Sequence, residues 1–519
     1  MRWRRWTRPD RKRAGRRCHT GVTIIGFKTR VIKSQEVELK LELPPGEIEA
    51  LRRAPVLGDP ARRPVDQVTT YFDTDKGELR RAGYSLRLRR RGRSCLQTVK
   101  QRGTDSGGFS SRAEWEKKVD TPGLDFEALK ATPLGKILTK GDMRKRLAPV
   151  SETQVRRTTW LLALGSSEIE LILDEGRVVS DGREMPISEI ELELRRGGRR
   201  DLFGLAQSLG EGLTLRMGVM SKSERGYRLL EDRSVRAHKA ERIRLEAGMS
   251  IADAFAVVVQ SCLRHFRLNE PLIAGDMNAA ALHQARVAMR RLRSALTLFR
   301  PLIADADFPR LRSELRWFAD QLGDARNLDV ILAAKPRQGV RPDAALRRQL
   351  RRQREQAYER VQKALAQRRL PTLILDLVAW SEAGDWRCLK AAGQPIGAFA
   401  AERLDRAWKR VRKAGKELRT LTAEGRHRLR IEIKKLRYAA EFFAGLAPRN
   451  RRRRQKAFAG RMRELQELLG DLNDIETRRQ LAPRLFEQGD DASPGESTDL
   501  IERAAEAHDA LRELGAYWR

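Results

Sequence analysis

Residues 36–43 read EVELKLEL and residues 187–194 read ISEIELEL, and these two stretches decide the fold. Successive side chains of a β-strand point to opposite faces. In the first stretch Glu36, Glu38, Lys40 and Glu42 therefore share one face, with Val37, Leu39, Leu41 and Leu43 on the other. In the second, Glu189, Glu191 and Glu193 oppose Ile190, Leu192 and Leu194. Between them lies YSLRLRRRGRSCLQTVKQ (84–101), in which Arg87, Arg89 and Arg91 alternate in the same way. Acidic and basic rows in one sheet predict a closed barrel with a charged lumen, able to hold a metal ion and a polyanion together.

Working outward, alternating segments recur at 67–73, 95–101, 112–119, 155–164 and 167–174, separated by turn residues such as Pro44-Pro45-Gly46, Gly107-Gly108, Asp181-Gly182 and Gly197-Gly198. Short helices are expected over 46–54 and 200–210. Many short antiparallel strands with few helices fit a barrel. Near residue 236 the pattern changes. From there apolar residues recur at i, i+3, i+4 and i+7 among Ala, Leu, Arg and Glu, as in long bundle helices. This half repeats itself. Ala254-Phe255-Ala256 returns as Ala398-Phe399-Ala400 and His283 as His427, both at an offset of 144 residues. HQARVAMRRLR (283–293) matches HRLRIEIKKLR (427–437), and QLGDARNLDV (321–330) resembles LLGDLNDIET (468–477). Two bundles related by a pseudo-twofold axis follow. The expected class is α+β and multidomain: a basic, disordered arm over 1–34, an eight-stranded antiparallel barrel over 35–232, a linker over 233–246, and an all-α domain over 247–519 with repeats 247–390 and 391–519.

The net charge of +36 points to polyanionic partners. It is unevenly placed. Residues 1–33 carry 12 Lys/Arg against one acid, 34–235 carry 37 against 32, and 236–519 carry 57 against 37. The acidic strands thus belong to a nearly neutral domain, and the excess lies mainly in the helical half. Aromatic residues make up only 6% of the chain, which argues against base stacking and so against single-stranded nucleic acid. Cys18, Cys95, Cys262 and Cys388 form no CxxC pair, so a reducing, cytosolic setting is expected. No apolar run reaches the ~18 residues of a membrane span.

A triphosphate taken out of water needs several cations around it. Arg87, Arg89, Lys100, Arg112, Arg157 and Lys222 are placed to supply them, arginine as a bidentate fork and lysine as a point charge. The carboxylates of Glu36, Glu38, Glu189, Glu191 and Glu193 would repel phosphate unless a hard divalent cation, Mg²⁺ or Mn²⁺, lay between. Such a metal orients water for in-line attack and offsets transition-state charge. Strands with solvated charged outer faces are the simpler reading of any one of these motifs. Three charged strands with acids and bases segregated favour the lumen.

EVELK, YFDTDKGELRRAGYSLRLRR, LQTVK, RAEWE, IELILDEG, ISEIELEL and SKSERGYRL, in this order over about residues 35–230, resemble the CYTH family of triphosphate tunnel enzymes. The resemblance implies an eight-stranded tunnel that binds triphosphate and a divalent metal, and bacterial members of this layout resemble inorganic triphosphatases, releasing pyrophosphate and phosphate. Thiamine triphosphatases, adenylate cyclases and RNA triphosphatases are relatives, so an adenylate cyclase or organic triphosphatase is the rival activity, and a non-catalytic polyphosphate-binding scaffold the rival without chemistry. By position, Glu36, Glu38 and Lys40 are the candidate catalytic residues. Lys40, Arg87, Arg89, Lys100, Arg112, Arg157 and Lys222 would bind substrate. Glu36, Glu38, Asp174, Glu189, Glu191 and Glu193 would bind metal. Register decides between Arg156 and Arg157, the late acidic pair can slip by two between Glu189 and Glu193, and Glu114 is a weaker candidate.

The helical half, over about residues 245–515, resembles the CHAD family of histidine-bearing helical domains. Within its first motif His283, Arg286, Arg290 and Arg293 are spaced i, i+3, i+7 and i+10, on one helix face. His427, Arg430, Lys434 and Arg437 repeat that face, and Lys409 and Arg412 precede it. A charge stripe on a helix is ordinarily solvated and salt-bridged, yet these stripes lack acids enough to pair their bases and occur twice. The resemblance implies binding of inorganic polyphosphate, with strong salt sensitivity, and through it an association with polyphosphate granules. The LGD segments are expected to cap or bridge helices.

Overall fold

Every alternating segment forms a strand. The computed structural model describes residues 31–58, 62–92, 94–102, 107–120, 123–139, 141–231, 236–333, 344–485 and 494–519. Strands β1 (Ile32–Glu42), β2 (Arg62–Asp73), β3 (Tyr84–Arg91), β4 (Ser94–Gln101), β5 (Phe109–Val119), β6 (Ala148–Leu164), β7 (Ser167–Ser180) and β8 (Arg183–Arg196) follow the order β5-β4-β3-β2-β6-β7-β8-β1, and β1 also pairs with β5. The sheet is thereby a closed, antiparallel, eight-stranded barrel, with the two-residue β9 (Arg216–Met217) added beside β1 at Leu41 and Glu42. Of the expected basic arm, residues 1–30 lie outside the described residues, whereas Ile32–Ser34 already belong to β1 and pair with Glu116–Glu114.

The barrel is inverted relative to one with a greasy interior. Leu39, Leu41, Leu171, Leu173, Ile190 and Leu192 are fully buried, but on the outer face. They join a core with Leu202, Phe203, Leu205, Ala206 and Leu209 of α5 (Arg199–Gly212). On the other side Leu86, Val99 and Trp115 pack with Leu79, Leu129 and Leu134. Those three come from the short helices α2 (Glu78–Ala82), α3 (Phe126–Lys130) and α4 (Leu134–Leu138). The segment expected to be helical at 46–54 gives a 3₁₀ turn and α1 (Ile48–Arg52). With about 1.5–3 kcal/mol for each large apolar side chain buried, this outer jacket is what holds the charged face inward. α6 (Lys222–Leu230) lies across the β6–β8 wall, where Gly226 permits close approach: a Cβ there would meet Ser151 Oγ at 2.3 Å.

Residues 236–246 run without regular structure, with Ile243 and Leu245 buried. The first repeat then holds α7 (Ile251–Asp276), α8 (Ala279–Ile303), α9 (Phe308–Ala333), α10 (Ala344–Ala366) and α11 (Arg369–Ala383). The second holds α12 (Ile396–Ala414), α13 (Ala423–Phe442), α14 (Arg452–Leu485) and α15 (Pro494–Leu514). The starts of α7 and α12 bond each other reciprocally: Ile251 N donates to Gln394 O at 2.8 Å and Ile396 N to Met249 O at 3.0 Å. That is the exchange a pseudo-twofold axis between repeats produces. Cys95, Cys262 and Cys388 are free, while Cys18 lies outside the described residues. Among the described residues no helix is long and apolar enough to cross a membrane.

Candidate active site

The lumen forms a cavity of about 420 Å³. Its wall is set by strand register. Lys40 stands opposite Glu191 and Glu38 opposite Glu193 across β1–β8, and Glu36 faces Arg112 across β1–β5. Asp174 lies between Arg157 on β6 and Glu189 on β8. Register also separates the two neighbouring arginines: Arg157 lines the cavity and Arg156 is exposed on the outside.

Two groups of charges result. In the first, Lys222 Nζ lies 2.7 Å from Asp174, 2.5 Å from Glu189 and 2.8 Å from Glu191. Lys40 Nζ reaches Glu189 at 3.0 Å, Glu38 at 3.4 Å, and Glu191. Arg157 clasps Asp174 through two bonds of 2.7 and 2.5 Å and touches Glu191 at 3.0 Å. Arg225, one turn after Lys222, donates to Glu189 at 2.7 Å. In the second group Lys100 Nζ lies 2.7 Å from Glu36 and 3.2 Å from Glu114, and Arg112 donates to Glu36 at 3.0 Å and to Glu38 at 2.8 Å. Arg87 reaches Glu114 at 3.3 Å.

The charges answer one another. Burial pushes the Asp174 carboxyl up, but Arg157 and Lys222 outweigh it and hold the group at about 2. Burial likewise opposes ionisation of Glu36, and Lys100 and Arg112 bring it well below the usual carboxylate range. Lys40 is raised well above the usual lysine value: Glu189, Glu191 and Glu38 outweigh its own desolvation. Two groups stand apart. Glu193 is pushed up to about 7 by burial, with Arg195 opposing and Glu36 adding to the effect. Arg89 is pulled down to about 10, first by Arg87, then by burial and Arg157, and its Nε finds no acceptor among the described residues.

All of the substrate-binding candidates, Lys40, Arg87, Arg89, Lys100, Arg112, Arg157 and Lys222, therefore come to one cavity. Of the six candidate metal ligands, Glu36, Glu38, Glu191 and Glu193 line it. Asp174 and Glu189 are fully buried just beneath, with oxygens of Asp174, Glu189 and Glu191 within 4.8 Å of one another. Clustered carboxylate oxygens suit a hard divalent cation. Arg225 escaped the sequence reading. Its signal was its place three residues after Lys222, hence on the same face of α6. Asp73 was also missed. It is fully buried, accepts backbone bonds from Thr74, Leu79 and Arg80 at 2.7, 2.8 and 3.0 Å, and binds the Tyr227 hydroxyl, tying α2 to α6.

In the helical half, α8 packs on α13 and brings part of the two stripes together. Lys434 is pushed down to about 8, by burial and then by Arg430, Arg290, Arg286 and Arg437. His283 is lowered by burial and by Arg326, Arg290 and Arg286. Arg290 Nε donates to Tyr438 Oη at 2.7 Å, and Arg437 lies 4.8 Å from the Tyr438 ring centroid. Tyr438 thus spaces cations from both repeats, a role no pattern announced. His427 Nδ1 is 3.0 Å from Asn473 Oδ1. Arg293 is exposed on α8, and Lys409 and Arg412 are exposed on α12. The LGD segments lie inside helices and so do not cap, but they do bridge: Asp329 of α9 accepts from Arg354 Nε at 2.7 Å and from Tyr358 Oη at 2.8 Å on α10, and Asn473 of α14 meets His427 of α13. Gly323 and Gly470 sit inside α9 and α14, where a Cβ would lie 3.9 Å from Arg286 Nε and from Arg430 Nη2 respectively. A Cβ at either position would make only ordinary contact with a stripe arginine.

Residues 34–227 match the CYTH domain model and residues 257–483 the CHAD domain model. The inorganic triphosphatase of Haemophilus influenzae is 31% identical over 209 residues, 38% of this chain and 56% of that protein, so the match spans little more than half of that relative. Among solved structures, the CHAD domain from Ricinus communis is similar at 26% identity over 54% of this chain and 93% of its own, with a TM-score of 0.42. A proposed adenylyl cyclase from Hippeastrum with a dominant triphosphatase activity aligns at 22% identity over 36% of this chain and 93% of its own, with a TM-score of 0.28.

Proposed function

We propose that this chain, which carries a CYTH domain followed by a CHAD domain, hydrolyses inorganic triphosphate to pyrophosphate and phosphate in its tunnel and binds inorganic polyphosphate on its helical domain. One observation carries the first part. Among the charges of the tunnel, seven cations (Lys40, Arg87, Arg89, Lys100, Arg112, Arg157, Lys222) are interleaved with seven carboxylates (Glu36, Glu38, Glu114, Asp174, Glu189, Glu191, Glu193), nearly all already paired, and Arg63, Arg91, Arg195, Glu116 and Glu170 line the wall beside them. A lone polyanion entering it would strand the carboxylates, and a lone metal would strand the cations. A metal–triphosphate complex satisfies both by exchange of partners. Arginine and lysine turn from carboxylate to phosphate oxygens, and the freed acids turn to the metal.

In this reading Arg87, Arg89, Lys100 and Arg112 grip one end of the triphosphate, and Arg157, Lys40 and Lys222 the other. Glu36, Glu38, Glu191 and Glu193 would hold Mg²⁺ or Mn²⁺, with Asp174 and Glu189 fixing the lysines behind them. When bound, the metal supplies charge neutralisation and an oriented water for in-line attack on phosphorus. The chain's own contribution is positioning and electrostatics: a preformed cation wall around the charge that spreads over the leaving pyrophosphate. The cluster around Lys434 supports the polyphosphate part, because its five cations from two repeats crowd together with few acids between them. A partly desolvated row of cations gains when regularly spaced phosphates replace like-charge neighbours, and binding of this kind would draw the enzyme to polyphosphate bodies.

Purified full-length protein with Mg²⁺ or Mn²⁺ is expected to release phosphate from triphosphate faster than from ATP or thiamine triphosphate, and Glu38→Ala to abolish release. Preferred turnover of ATP to a cyclic product would favour the cyclase. Triphosphate binding without release by wild type under either metal would leave a scaffold.

A further inference from the structure

Lys222 is the first residue of α6, and its reach into the acidic group is set by what holds the start of that helix. Ser221 and Glu224 form a capping box: Ser221 Oγ accepts from Glu224 N at 3.2 Å, and Ser221 N donates to Glu224 Oε2 at 2.9 Å. The other oxygen of Glu224 accepts from Arg102 at 3.0 Å and from Arg264 at 2.8 Å. Arg102 is half exposed, whereas Arg264 is buried and comes from α7, in the helical domain.

Arg264 does more than pair with Glu224. Its Nη1 donates to the carbonyl of Val219, three residues before Lys222. One turn along α7, Arg267 donates to the carbonyl of Met217 at 3.0 Å and to Glu42 at 2.7 Å. One turn in the other direction, Gln260 accepts from Gly107 N at 3.1 Å. Residues 260, 264 and 267 are spaced i, i+4, i+7, a polar stripe on one face of α7 that meets the tunnel domain. The segment that Arg264 and Arg267 grip, 217–221, also donates from Gly218 N to the carbonyl of Lys40 at 2.9 Å, so it is held on one side by β1 and on the other by α7. Among the described residues, Arg264 is the single contribution of the helical domain to the wall of the tunnel cavity.

We propose that Arg264 is a positioning residue of the tunnel site, supplied by the helical domain: by fixing the strap 217–221 and Glu224 it sets where Lys222 presents its ammonium group to substrate. The inference rests on the triphosphatase reading of the tunnel. Arg264 touches no substrate in this account; it acts through Lys222, and the tunnel site is incomplete without α7.

The test uses the full chain. Wild type, Arg264→Gln, Arg264→Lys, Glu224→Gln, the Arg264→Gln/Glu224→Gln double variant and Arg368→Gln are compared for triphosphate hydrolysis with Mn²⁺, alongside their melting temperatures. Arg368 also joins the domains, donating to the carbonyls of Glu211 and Gly212 at 3.0 and 2.8 Å, at the end of α5 rather than at the strap 217–221, and serves as the docking control. Arg264→Gln is expected to raise KM for triphosphate by about tenfold or more with a smaller change in kcat, as supporting residues of a site do. Arg264→Lys regains part of that loss, the double variant is no worse than the worse single one, and Arg368→Gln keeps wild-type KM. An unchanged KM in Arg264→Gln, a matching loss in Arg368→Gln, or fully multiplicative effects of the two singles would overturn the proposal. If Arg264→Gln fails to fold, Glu224→Gln and Arg264→Lys carry the same comparison from either side of the contact. If wild type itself turns over no triphosphate, it is the triphosphatase reading that fails. The positioning claim is then read from calorimetric titration of inorganic triphosphate, where Arg264→Gln must still weaken binding relative to Arg368→Gln.

Discussion

Replacing Arg89 by Gln is expected to stabilise the protein while crippling its tunnel, and replacing Arg157 by Gln to harm both. The two arginines line the same cavity, but Arg157 holds Asp174 and Glu191 at 2.5–3.0 Å whereas Arg89 is opposed by Arg87 and Arg157 and its Nε has no acceptor among the described residues. The guanidinium of Arg89 is pulled down to about 10 in the folded state. At about 1.4 kcal/mol for each tenfold change in proton affinity, that is at most about 3 kcal/mol of repulsion and desolvation. Screening in a water-accessible lumen reduces it to about 1–2 kcal/mol. The unfolded chain carries no such repulsion, so Arg89→Gln removes a cost specific to the native state. Arg157→Gln instead leaves the fully buried Asp174 with Lys222 as its one remaining cation among the described residues, and breaking a buried pair from one side costs up to about 3–5 kcal/mol.

Calorimetric unfolding without metal or phosphate reads the stability half: a higher melting temperature for Arg89→Gln and a lower one for Arg157→Gln. The functional half is a titration of triphosphate hydrolysis. Hydrogen bonds to charged groups contribute about 1.5–3 kcal/mol each, so loss of Arg89's fork predicts a fall in kcat/KM of at least about tenfold. Destabilisation by Arg89→Gln comparable to that by Arg157→Gln would show that Arg89 is held by partners this account lacks. Unchanged kcat/KM would remove Arg89 from the binding site.

Other outcomes follow from the same geometry. Lys434, held at about 8 by burial and four arginines, is charged well below pH 8 and half deprotonated near it; bound polyphosphate raises its pKa, so affinity for long-chain polyphosphate is expected to decline as pH rises past 8. Arg at 434 (K434R) should flatten that decline in a fluorescence titration, and identical pH profiles would count against the groove. Gly226→Ala places a Cβ 2.3 Å from Ser151 Oγ, forcing α6 off β6 at a cost of about 1–3 kcal/mol and drawing Lys222 from its acids, so both melting temperature and triphosphatase rate fall. Gly323→Ala and Gly470→Ala meet only ordinary contacts at 3.9 Å and gain up to about 1 kcal/mol of helix propensity each, seen as higher melting temperatures, while Leu at either position displaces a stripe arginine and weakens polyphosphate binding.

The barrel was legible because the strand period of two writes each side chain's face into the sequence, and because β1, β3 and β8 carry charge on the same phase. The strand edges were less so. Lys33, Ser34 and Gln35 pair through their backbones with Trp115, Glu114 and Ala113, which hydropathy cannot register. The repeat was legible from the fixed offset of its histidines. What stayed hidden depends on contacts between distant segments. Nothing local distinguishes Tyr438 from a core tyrosine until Arg290, 148 residues away, donates to it. The LGD glycines read like helix ends because glycine usually marks them, yet they lie inside α9 and α14, beside Arg286 and Arg430. Arg264 lies in a helix whose apolar residues dominate its pattern, and its meaning arises only where α7 meets the strap before Lys222.

That meeting is a consequence of turning the charges inward. A barrel with a charged lumen must expose its leucines on the outside, and water there would favour the opposite arrangement of every strand. Covering them takes helices, and in this chain the cover is shared. Leu39, Leu41, Leu171 and Leu192 belong to one continuous core that includes Leu202 and Phe203 of α5 and also Phe255, Val258, Val259 and Phe266 of α7. The helix recruited to keep the outer face dry therefore runs alongside the segment that aims Lys222. A polar stripe on its flank is all that is needed to make the helical domain part of the tunnel's wall. The helical domain and the tunnel are then joined through burial, and α7 meets the segment that leads into Lys222.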